Sequence, residues 1–331
     1  MMSKLRVGVV GVGHLGSKHA ELYNEISAAE FIGIYDIDKS RADATAKQYK
    51  IKAFSSLDQL LGEVKAISIV TPTSTHFAVA TEALQRGVNV LIEKPITSTV
   101  IEAESLLQLA KRHGAKIQVG HVERFNPAIL ALEKYTINPI FVESHRLAQF
   151  NPRGTDVAVV LDLMIHDIDI ILSLVQSPVR KIEANGVAVV SDNIDIANAR
   201  LQFENGCVAN VTASRISQKK MRKMRLFQRD AYISIDFSEG LAEVFRLVDE
   251  DDHSVRATML LGEINSGKMK RRIVYEQPEV KEINALKYEL EQFVDSIQNG
   301  REPIVTGSEG KEALQIAHDI MAKISQQSIS Y

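Results

Sequence analysis

The chain has 331 residues, of which 45% are hydrophobic and 24% are charged. These values are those of an ordinary globular protein and exclude a disordered or fibrous chain, while the length is typical of two domains. The formal net charge of -3 provides no general attraction to nucleic acid or to an anionic membrane, and the single cysteine, Cys207, excludes an internal disulfide.

The first part of the chain alternates short β-branched apolar runs with longer segments of helical period, which predicts βαβ units around a parallel sheet. The predicted strands are Leu5–Val10, Phe31–Tyr35, Ala66–Val70, Asn89–Ile92 and Lys116–Gly120. The predicted helices lie at about 14–28, 39–49, 75–86 and 98–113. Because every crossover is long enough for a helix and the strands are apolar on both faces, we predict a doubly wound Rossmann domain over residues 1–122.

The pattern changes after residue 122, where two predicted helices, at about 126–135 and 157–175, are followed by alternating strands. These strands are Ile140–Gln149, Arg180–Val190, Ala197–Phe203, Cys207–Ser214, Lys223–Gln228, Ala231–Asp236 and Ala242–Val248. Asn205-Gly206 is a strong signal for a hairpin turn. Two closing helices are predicted at 282–298 and 308–324. The chain is therefore predicted to be α/β overall, with an α+β second domain over residues 123–331 built on a largely antiparallel open sheet.

A glycine-rich segment follows the first strand directly and opens a helix: Gly11-Val12-Gly13-His14-Leu15-Gly16. In this context the first glycine allows a tight turn, the second lets the backbone approach a pyrophosphate, and the third permits close helix packing. The free N–H groups of the helix N-terminus favour an anion. We predict that Gly11, Gly13, His14, Leu15 and Gly16 bind a dinucleotide; the alternative is that the glycines serve only the turn.

Asp36 ends the second predicted strand, about twenty residues beyond the third glycine. A carboxylate at this position accepts hydrogen bonds from the adenosine ribose and repels a 2′-phosphate, so NAD is predicted in preference to NADP. The nearby Arg41 weakens this preference, and an alternative role for Asp36 is to cap the following helix.

A polar segment follows the strand that ends at Val70, at the carboxyl edge of the sheet where a Rossmann ligand lies. We predict that Thr71, Pro72, Thr73 and His76 contact the cofactor. The hydroxyl groups can equally cap the next helix, and a lone histidine is more often an ordinary helix residue than a ligand contact.

Glu93-Lys94-Pro95 follows the strand that ends at Ile92. With the glycine segment, this triplet resembles the Gfo/Idh/MocA oxidoreductase family, and the resemblance extends over essentially the whole chain. It implies an NAD(P)-dependent dehydrogenase acting on CH–OH groups, with Glu93 at the cofactor and Lys94 reaching both the cofactor and the reacting carbon. Without the family, a lone lysine is usually a solvated residue.

The same family places an aspartate four residues before a histidine on a helix, and Asp162 and His166 match this pattern. Positions i and i+4 share a helical face, so the carboxylate can orient the imidazole while its other nitrogen accepts a hydroxyl proton. Lys94 would polarise the same oxygen, and whether Lys94 or His166 is the main proton acceptor stays open. Met164 stands where many relatives carry glycine, which leaves the substrate entrance undefined. The alternative is an ordinary amphipathic helix.

Two sequence segments, at 120–127 and 161–169, resemble the branch of this family that oxidises nucleotide sugars, in particular UDP-N-acetylglucosamine 3-dehydrogenases. We predict that Arg124 and Asn126, with Asp162 and His166, bind sugar or phosphate oxygens. Arg124 can alternatively form a salt bridge between domains. The competing functions are a polyol or free-sugar dehydrogenase and a non-catalytic NAD-binding regulator.

A basic run suits either a diphosphate or a solvated strand edge; it comprises Arg215, Lys219, Lys220, Arg222, Lys223 and Arg225. It lacks aromatic platforms for bases, so no nucleic-acid partner is predicted. Asp167 and Asp169 add carboxylates near His166, but without a soft ligand or a well-spaced second histidine no metal is predicted.

We expect a cytoplasmic protein with no membrane role, since a single cysteine fits a reducing compartment and no apolar run reaches the roughly 18 residues of a membrane span. An exposed sheet face in the second domain, together with the family resemblance, suggests a homo-dimer or homo-tetramer.

Overall fold

The computed structural model describes residues 3–151, 157–249, 259–266 and 269–328. The chain forms two compact units. The first comprises Met1–Phe125 and Ile283–Gln315, and the second comprises Asn126–Glu282 and Ile316–Tyr331. In the described part of the chain, no helix has the length and apolarity needed to cross a membrane.

The first unit contains a sheet of six strands: β1 (Leu5–Val10), β2 (Ala29–Tyr35), β3 (Lys52–Ala53), β4 (Ala66–Ile69), β5 (Asn89–Glu93) and β6 (Ile117–Gly120). The order is β3-β2-β1-β4-β5-β6, and every neighbouring pair is parallel. The helices between the strands are α1 (His14–Tyr23), α2 (Lys39–Tyr49), α3 (Leu57–Leu61), α4 (Thr73–Gln85) and α5 (Val100–His113). The predicted Rossmann sheet is confirmed; β3 and α3 were not predicted, since both are very short.

The first unit also includes α8 (Ala285–Gln298), which comes from the far end of the chain. Its residues Leu290, Phe293 and Val294 are fully buried in the same core cluster as Val7 and Val9 of β1. The predicted second domain ran without interruption from 123 to 331, whereas residues 283–315 belong to the first unit. These residues belong to the first unit because the apolar face of α8 completes the core beside β1.

The second unit contains a sheet of nine strands. These are β7 (Phe141–Leu147), β8 (Val179–Val187), β9 (Ile196–Phe203), β10 (Val208–Ser214), β11 (Met221–Phe227), β12 (Ala231–Asp236), β13 (Leu241–Asp249), β14 (Met259–Ser266) and β15 (Met269–Glu276). The order is β14-β15-β13-β12-β11-β7-β10-β9-β8, and only the pairing of β7 with β10 is parallel among the described strands. The predicted, largely antiparallel sheet is confirmed. The last two strands were not predicted; in β15, Lys270, Arg271 and Arg272 interrupt the apolar alternation.

The helices of the second unit differ most from prediction. The helix expected at 126–135 is reduced to α6 (Pro127–Leu130). The helix expected at 157–175 begins with a π-helical turn, Val160–Met164, and continues as α7 (Ile165–Val175). The closing helix, α9, spans Gly307–Ser328, and its residues up to Gln315 belong to the first unit.

One face of the nine-stranded sheet carries a row of aromatic rings that we call the aromatic ladder. It consists of Phe141, Phe227, Tyr232, Phe245 and Tyr275, one from each of five neighbouring strands. Successive ring centroids lie 5.0 to 5.6 Å apart. The rings keep part of their surface exposed, while the residues that alternate with them, such as Val142 and Leu226, are fully buried. The strand alternation therefore separates a packed face from an open face, on which the aromatic ladder lies beside charged residues such as Lys223 and Arg225.

Candidate active site

The glycine segment forms the turn between β1 and α1. Gly11 has a φ of +84°, a conformation that L side chains rarely adopt. A Cβ added to Gly16 would lie 1.9 Å from the Gly11 carbonyl oxygen, so this close packing requires glycine. A Cβ added to Gly13 would meet nothing within 4 Å. The first and third glycines are therefore required by packing, whereas Gly13 leaves open space in front of the helix.

That open space faces the start of α1. The helix begins at His14, and no side chain accepts a hydrogen bond at its cap position, Gly13. His14 and Leu15 are both exposed beside the turn. N–H groups at a helix N-terminus, next to a position without a side chain, suit a diphosphate. The residues present fit the dinucleotide that the sequence predicts.

Asp36 lies beside this turn with its side chain only 4% exposed. One carboxylate oxygen accepts a hydrogen bond from the backbone N–H of Val12, and the other accepts one from Asp38, both at 2.8 Å. Arg41 Nη1 lies 3.5 Å from the first of these oxygens. The cap of α2 is Asp38, whose carboxylate accepts from the Arg41 backbone N–H, so the alternative capping role for Asp36 is wrong.

The polar segment after β4 does not cap its helix with a hydroxyl group. The cap position of α4 is Pro72, and no side chain accepts a hydrogen bond there. The Thr75 hydroxyl instead lies 2.8 Å from both Thr71 Oγ1 and the Pro72 carbonyl oxygen. Thr71 and Thr73 are partly exposed, which leaves them available for the predicted cofactor contact.

His76 is a buried residue that contacts two backbone carbonyl groups, and its contact with the cofactor stays a prediction. It is 1% exposed, with Nδ1 at 3.0 Å from the Pro95 carbonyl oxygen and Nε2 at 2.9 Å from that of Thr71. Burial lowers the pKa of His76, and the two carbonyl contacts oppose this shift. Since both ring nitrogens face backbone carbonyls, His76 connects the segment after β4 to the turn after β5.

Glu93 is the last residue of β5, and its side chain is 12% exposed. Its Oε1 lies 3.1 Å from Nε2 of His19, which is fully buried on α1. Glu93 thus makes a buried contact with a histidine, and its contact with the cofactor stays a prediction. Lys94 follows, partly exposed, and its peptide bond to Pro95 is cis.

A second buried histidine lies in the surroundings of Lys94. His121 is fully buried, and its pKa is lowered to about 3 by burial and by the positive charges of Lys94 and Arg124. The sequence analysis gave no role to His19 or His121. The only sign of them in the sequence is a histidine at a position expected to be apolar. His19 lies on the buried face of α1, and His121 directly follows β6.

Arg124 and Asn126 both make protein contacts. Arg124 Nη2 lies 2.5 Å from Glu309 Oε1, an ion pair inside the first unit. Asn126 Oδ1 accepts from the Ala128 N–H and caps α6, while Nδ2 donates to the Phe237 carbonyl oxygen at 3.2 Å. The Arg124–Glu309 ion pair thus forms within one unit. The substrate contacts of both residues stay predictions.

Asp162 lies in the π-helical turn and His166 in the first turn of α7. Both are partly exposed, whereas Met164 and Ile165 between them are fully buried. π-Helical turns are rare in proteins, and those that occur are often found at functional sites. The turn that carries Asp162 is wider than an α-helical turn, and the catalytic role of Asp162 and His166 stays a prediction.

The acidic residues after His166 belong to the interior. Asp167 is 1% exposed and accepts hydrogen bonds from Arg146 Nε at 2.6 Å and from the Ser144 hydroxyl at 2.9 Å. Asp169 is 2% exposed. Within the described residues, no group of three or more His, Cys, Asp or Glu side chains is arranged to bind a metal ion.

Three members of the basic run have acidic partners. Arg215 is 5% exposed, and its Nε lies 3.8 Å from Asp195. Lys223 pairs with Asp236 at 3.1 Å, and Arg225 pairs with Glu143 at 3.2 Å. These pairings favour a structural role over phosphate binding for the three residues. Lys219 and Lys220 are exposed.

Comparisons with known proteins agree with this arrangement. Residues 5–121 match the family model of the Gfo/Idh/MocA oxidoreductases, NAD-binding Rossmann fold, and residues 142–242 match a Gfo/Idh/MocA C-terminal domain. The UDP-N-acetylglucosamine 3-dehydrogenase of Acidithiobacillus ferrooxidans is 44% identical over 245 residues, which are 74% of this chain and 78% of the relative. A solved structure of that enzyme superposes with a TM-score of 0.87 and 37% identity, covering 98% of each chain.

More distant relatives act on other compounds. The NAD-dependent scyllo-inositol 2-dehydrogenase of Bacillus subtilis is 26% identical over 336 residues, which are 96% of this chain and 93% of the relative. A levoglucosan dehydrogenase shares the fold at a TM-score of 0.81 and 17% identity, covering 98% of each chain. With a glycine turn, a buried carboxylate and two matched domain models in one chain, the protein belongs to the Gfo/Idh/MocA oxidoreductase family, and its first unit is an NAD-binding Rossmann fold.

Proposed function

We propose that the chain oxidises the secondary alcohol at carbon 3 of UDP-N-acetylglucosamine, giving the 3-keto sugar and NADH. The observation that carries this proposal is the similarity to the UDP-N-acetylglucosamine 3-dehydrogenase of A. ferrooxidans, which extends over 98% of both chains at 37% identity. The inositol dehydrogenases that also align along most of the chain are less similar, at 23 to 26% identity.

The first unit supplies the cofactor contacts in this proposal. The turn at Gly11, Gly13 and Gly16 takes the diphosphate, and Asp36 accepts hydrogen bonds from the adenosine ribose. Thr71 and Thr73 line the bound dinucleotide. NAD, when bound, supplies the hydride acceptor. The negative charge of Asp36 disfavours the 2′-phosphate of NADP.

Three side chains carry the chemistry of the chain itself. His166 accepts the proton of the sugar hydroxyl, and Asp162 orients the imidazole and stabilises its charged form. Lys94 donates a hydrogen bond to the same oxygen and stabilises the negative charge that develops as the C–H bond breaks. The alcohol thus loses a hydride from carbon and a proton from oxygen, which leaves a ketone.

The test follows nicotinamide absorbance after the purified protein is mixed with NAD or NADP and with UDP-sugars, free sugars or inositols. We expect NADH with UDP-N-acetylglucosamine, and a loss of kcat of about 10² to 10⁴-fold in Lys94→Ala and in His166→Ala. Lys111→Ala, which removes an exposed lysine in the last turn of α5, is the matched control and should keep wild-type activity.

Other results would replace the proposal. Turnover with a free polyol alone would make the chain a polyol dehydrogenase of the same family. Saturable NAD binding without turnover on any compound would favour the non-catalytic regulator. If His166→Ala keeps its activity while Lys94→Ala loses it, Lys94 is the main proton acceptor.

We also propose that the enzyme is cytoplasmic and forms a homo-dimer or homo-tetramer. In this assembly the aromatic ladder lies at a contact between copies of the chain. Its five rings offer a continuous apolar strip, and strips of this kind are typical of protein interfaces. Light scattering measures the mass of the wild type and of Phe227→Lys, and we expect a smaller assembly for the variant. A monomeric wild type would contradict this assignment.

A further inference from the structure

The two neighbours of Lys94 in the chain are each bound to a buried histidine. On one side, Oε1 of Glu93 lies 3.1 Å from Nε2 of His19. On the other side, the Pro95 carbonyl oxygen lies 3.0 Å from Nδ1 of His76. Both histidines are almost inaccessible to solvent, at 0% and 1% exposure. The backbone at Lys94 is therefore held from both directions by side chains that are themselves fixed in the interior.

The Glu93 carboxylate has little freedom to move away from His19. Glu93 pairs with Gly120 across β5 and β6. A Cβ added to Gly120 would lie 2.9 Å from the carboxylate atoms, which shows how closely the Glu93 side chain packs over the neighbouring strand. The side chain is confined between a glycine and a histidine, which fixes Glu93 immediately before Lys94.

Both histidines come from helices that start at the cofactor site. His19 is on α1, whose first residue follows Gly13, and His76 is on α4, whose cap position is Pro72. His76 also contacts the Thr71 carbonyl oxygen through Nε2, at 2.9 Å. The backbone of Lys94 is thereby connected to both segments that are predicted to contact NAD.

We propose that His19 and His76 are positioning residues that fix the backbone at Lys94 relative to the NAD-binding segments. Because the side chain of Lys94 is long and flexible, the position of its amino group depends on where the backbone places the Lys94 Cα atom. A displacement of about 1 Å at a reacting group can reduce a rate by roughly 10²-fold. This inference rests on the proposed role of Lys94 and adds two residues that act through Lys94.

The first test compares apolar with conservative replacements in the full-length protein. His19→Met removes the partner of Glu93, whereas His19→Gln offers an amide nitrogen at the place of Nε2. We expect His19→Met to lower kcat by about 10 to 100-fold with an NAD Kd within about threefold of wild type, and His19→Gln to restore kcat to within about threefold. His76→Asn, which keeps a donor at the place of Nδ1, and His76→Leu form the second pair.

A double-mutant cycle separates positioning from general stability. If His19 acts through Lys94, His19→Met has little further effect on kcat in a Lys94→Ala background. A fully additive loss of activity, or a wild-type kcat in both apolar variants, would overturn the proposal. If His19→Met does not fold, the cycle is run with His76→Leu.

A second readout does not depend on turnover. Mass spectrometry follows the rate at which Lys94 is reductively methylated in the protein without substrate, with Lys219 as the internal reference. We expect the apolar variants to change the rate at Lys94 and the conservative variants to preserve it. Unchanged labelling in all variants would refute positioning. If wild type turns over no substrate, the proposed function fails while this measurement still decides on the histidines.

Discussion

Arg146 and Asp167 form a buried ion pair in the second unit, with Nε 2.6 Å from a carboxylate oxygen and side-chain exposures of 5% and 2%. The pair connects β7 to the first turn of α7. A third group, the Ser144 hydroxyl, donates to the other oxygen of the carboxylate at 2.9 Å. Because Asp167 directly follows His166, this contact sets the rotation of the helix that carries the proposed base.

The first prediction concerns this pair. Arg146→Met leaves the Asp167 carboxylate buried without its cation, and we expect the free energy of unfolding to fall by roughly 3–5 kcal/mol, as measured by urea denaturation. The exposed pair between Arg225 and Glu143, at 3.2 Å, is the matched control. Arg225→Met should cost less than about 1 kcal/mol. Equal losses in the two variants would contradict the assignment of Arg146 as a buried anchor.

The second prediction separates two glycines of the same turn. Gly16→Ala places a Cβ against the Gly11 carbonyl oxygen, where the separation would be 1.9 Å, so we expect the melting temperature to fall sharply. Gly13→Ala meets no protein atom within 4 Å and should melt as wild type does. Its NAD Kd, measured by titration calorimetry, should nevertheless rise by about tenfold or more, because the methyl group occupies space needed by the diphosphate. Wild-type affinity in Gly13→Ala would mean that the diphosphate lies elsewhere.

The third prediction concerns the choice between NAD and NADP. Asp36→Asn keeps the shape of the side chain and removes its charge, so we expect the ratio of kcat/KM for NAD to that for NADP to fall by about tenfold, which equals about 1.4 kcal/mol. Asp38→Asn preserves the cap of α2 and serves as the control with an unchanged ratio. The same ratio in both variants would show that the Asp36 charge does not select the cofactor.

The fourth prediction is a dependence of stability on pH. The pKa of His121 is lowered to about 3 in the folded protein, from an unfolded value of 6.5, by burial and by the charges of Lys94 and Arg124. Below pH 6.5 the unfolded chain therefore binds a proton that the folded chain does not, and stability falls as the pH falls. Between pH 7 and pH 5 this one group lowers the free energy of unfolding by about 2 kcal/mol.

His121→Gln removes the titrating group and tests this sign. Urea denaturation at pH 7 and pH 5 should show a loss of stability that is about 2 kcal/mol smaller in the variant than in wild type. His76, whose pKa burial also lowers, contributes equally to both proteins. An identical loss in the two proteins would mean that His121 binds its proton in the folded state.

Local patterns were sufficient to predict the Rossmann sheet. Each of its five main strands is a short apolar run, and the glycine turn has a steric requirement that residue types alone reveal. The two-residue strand β3 offers no such run. The place of α8 was not predictable in the same way, because its apolar face indicates that it is buried but not against which sheet.

Side-chain contacts explain the remaining differences at the site. Glu93 and His76 were predicted to contact the cofactor from their places at the end of β5 and after β4. Both also make protein contacts that their spacing did not predict: Glu93 with the buried His19, and His76 with the carbonyl oxygens of Thr71 and Pro95. Sequence spacing gives the edge of the sheet at which a residue lies, but it does not give the rotamer that the residue adopts. The π-helical turn at Asp162 has no simple pattern of residue types, so an α-helix was the natural expectation.

The place of α8 also has a consequence for biosynthesis. Leu290, Phe293 and Val294 are fully buried in the core that contains β1 and α1, although 159 residues of the chain, 126 to 284, separate the first segment of this unit from the helix. When only the first 125 residues have emerged from the ribosome, the apolar surface that α8 later covers is exposed on the nascent chain. The core of the NAD-binding unit therefore cannot be completed until all the strands of the nine-stranded sheet have been translated.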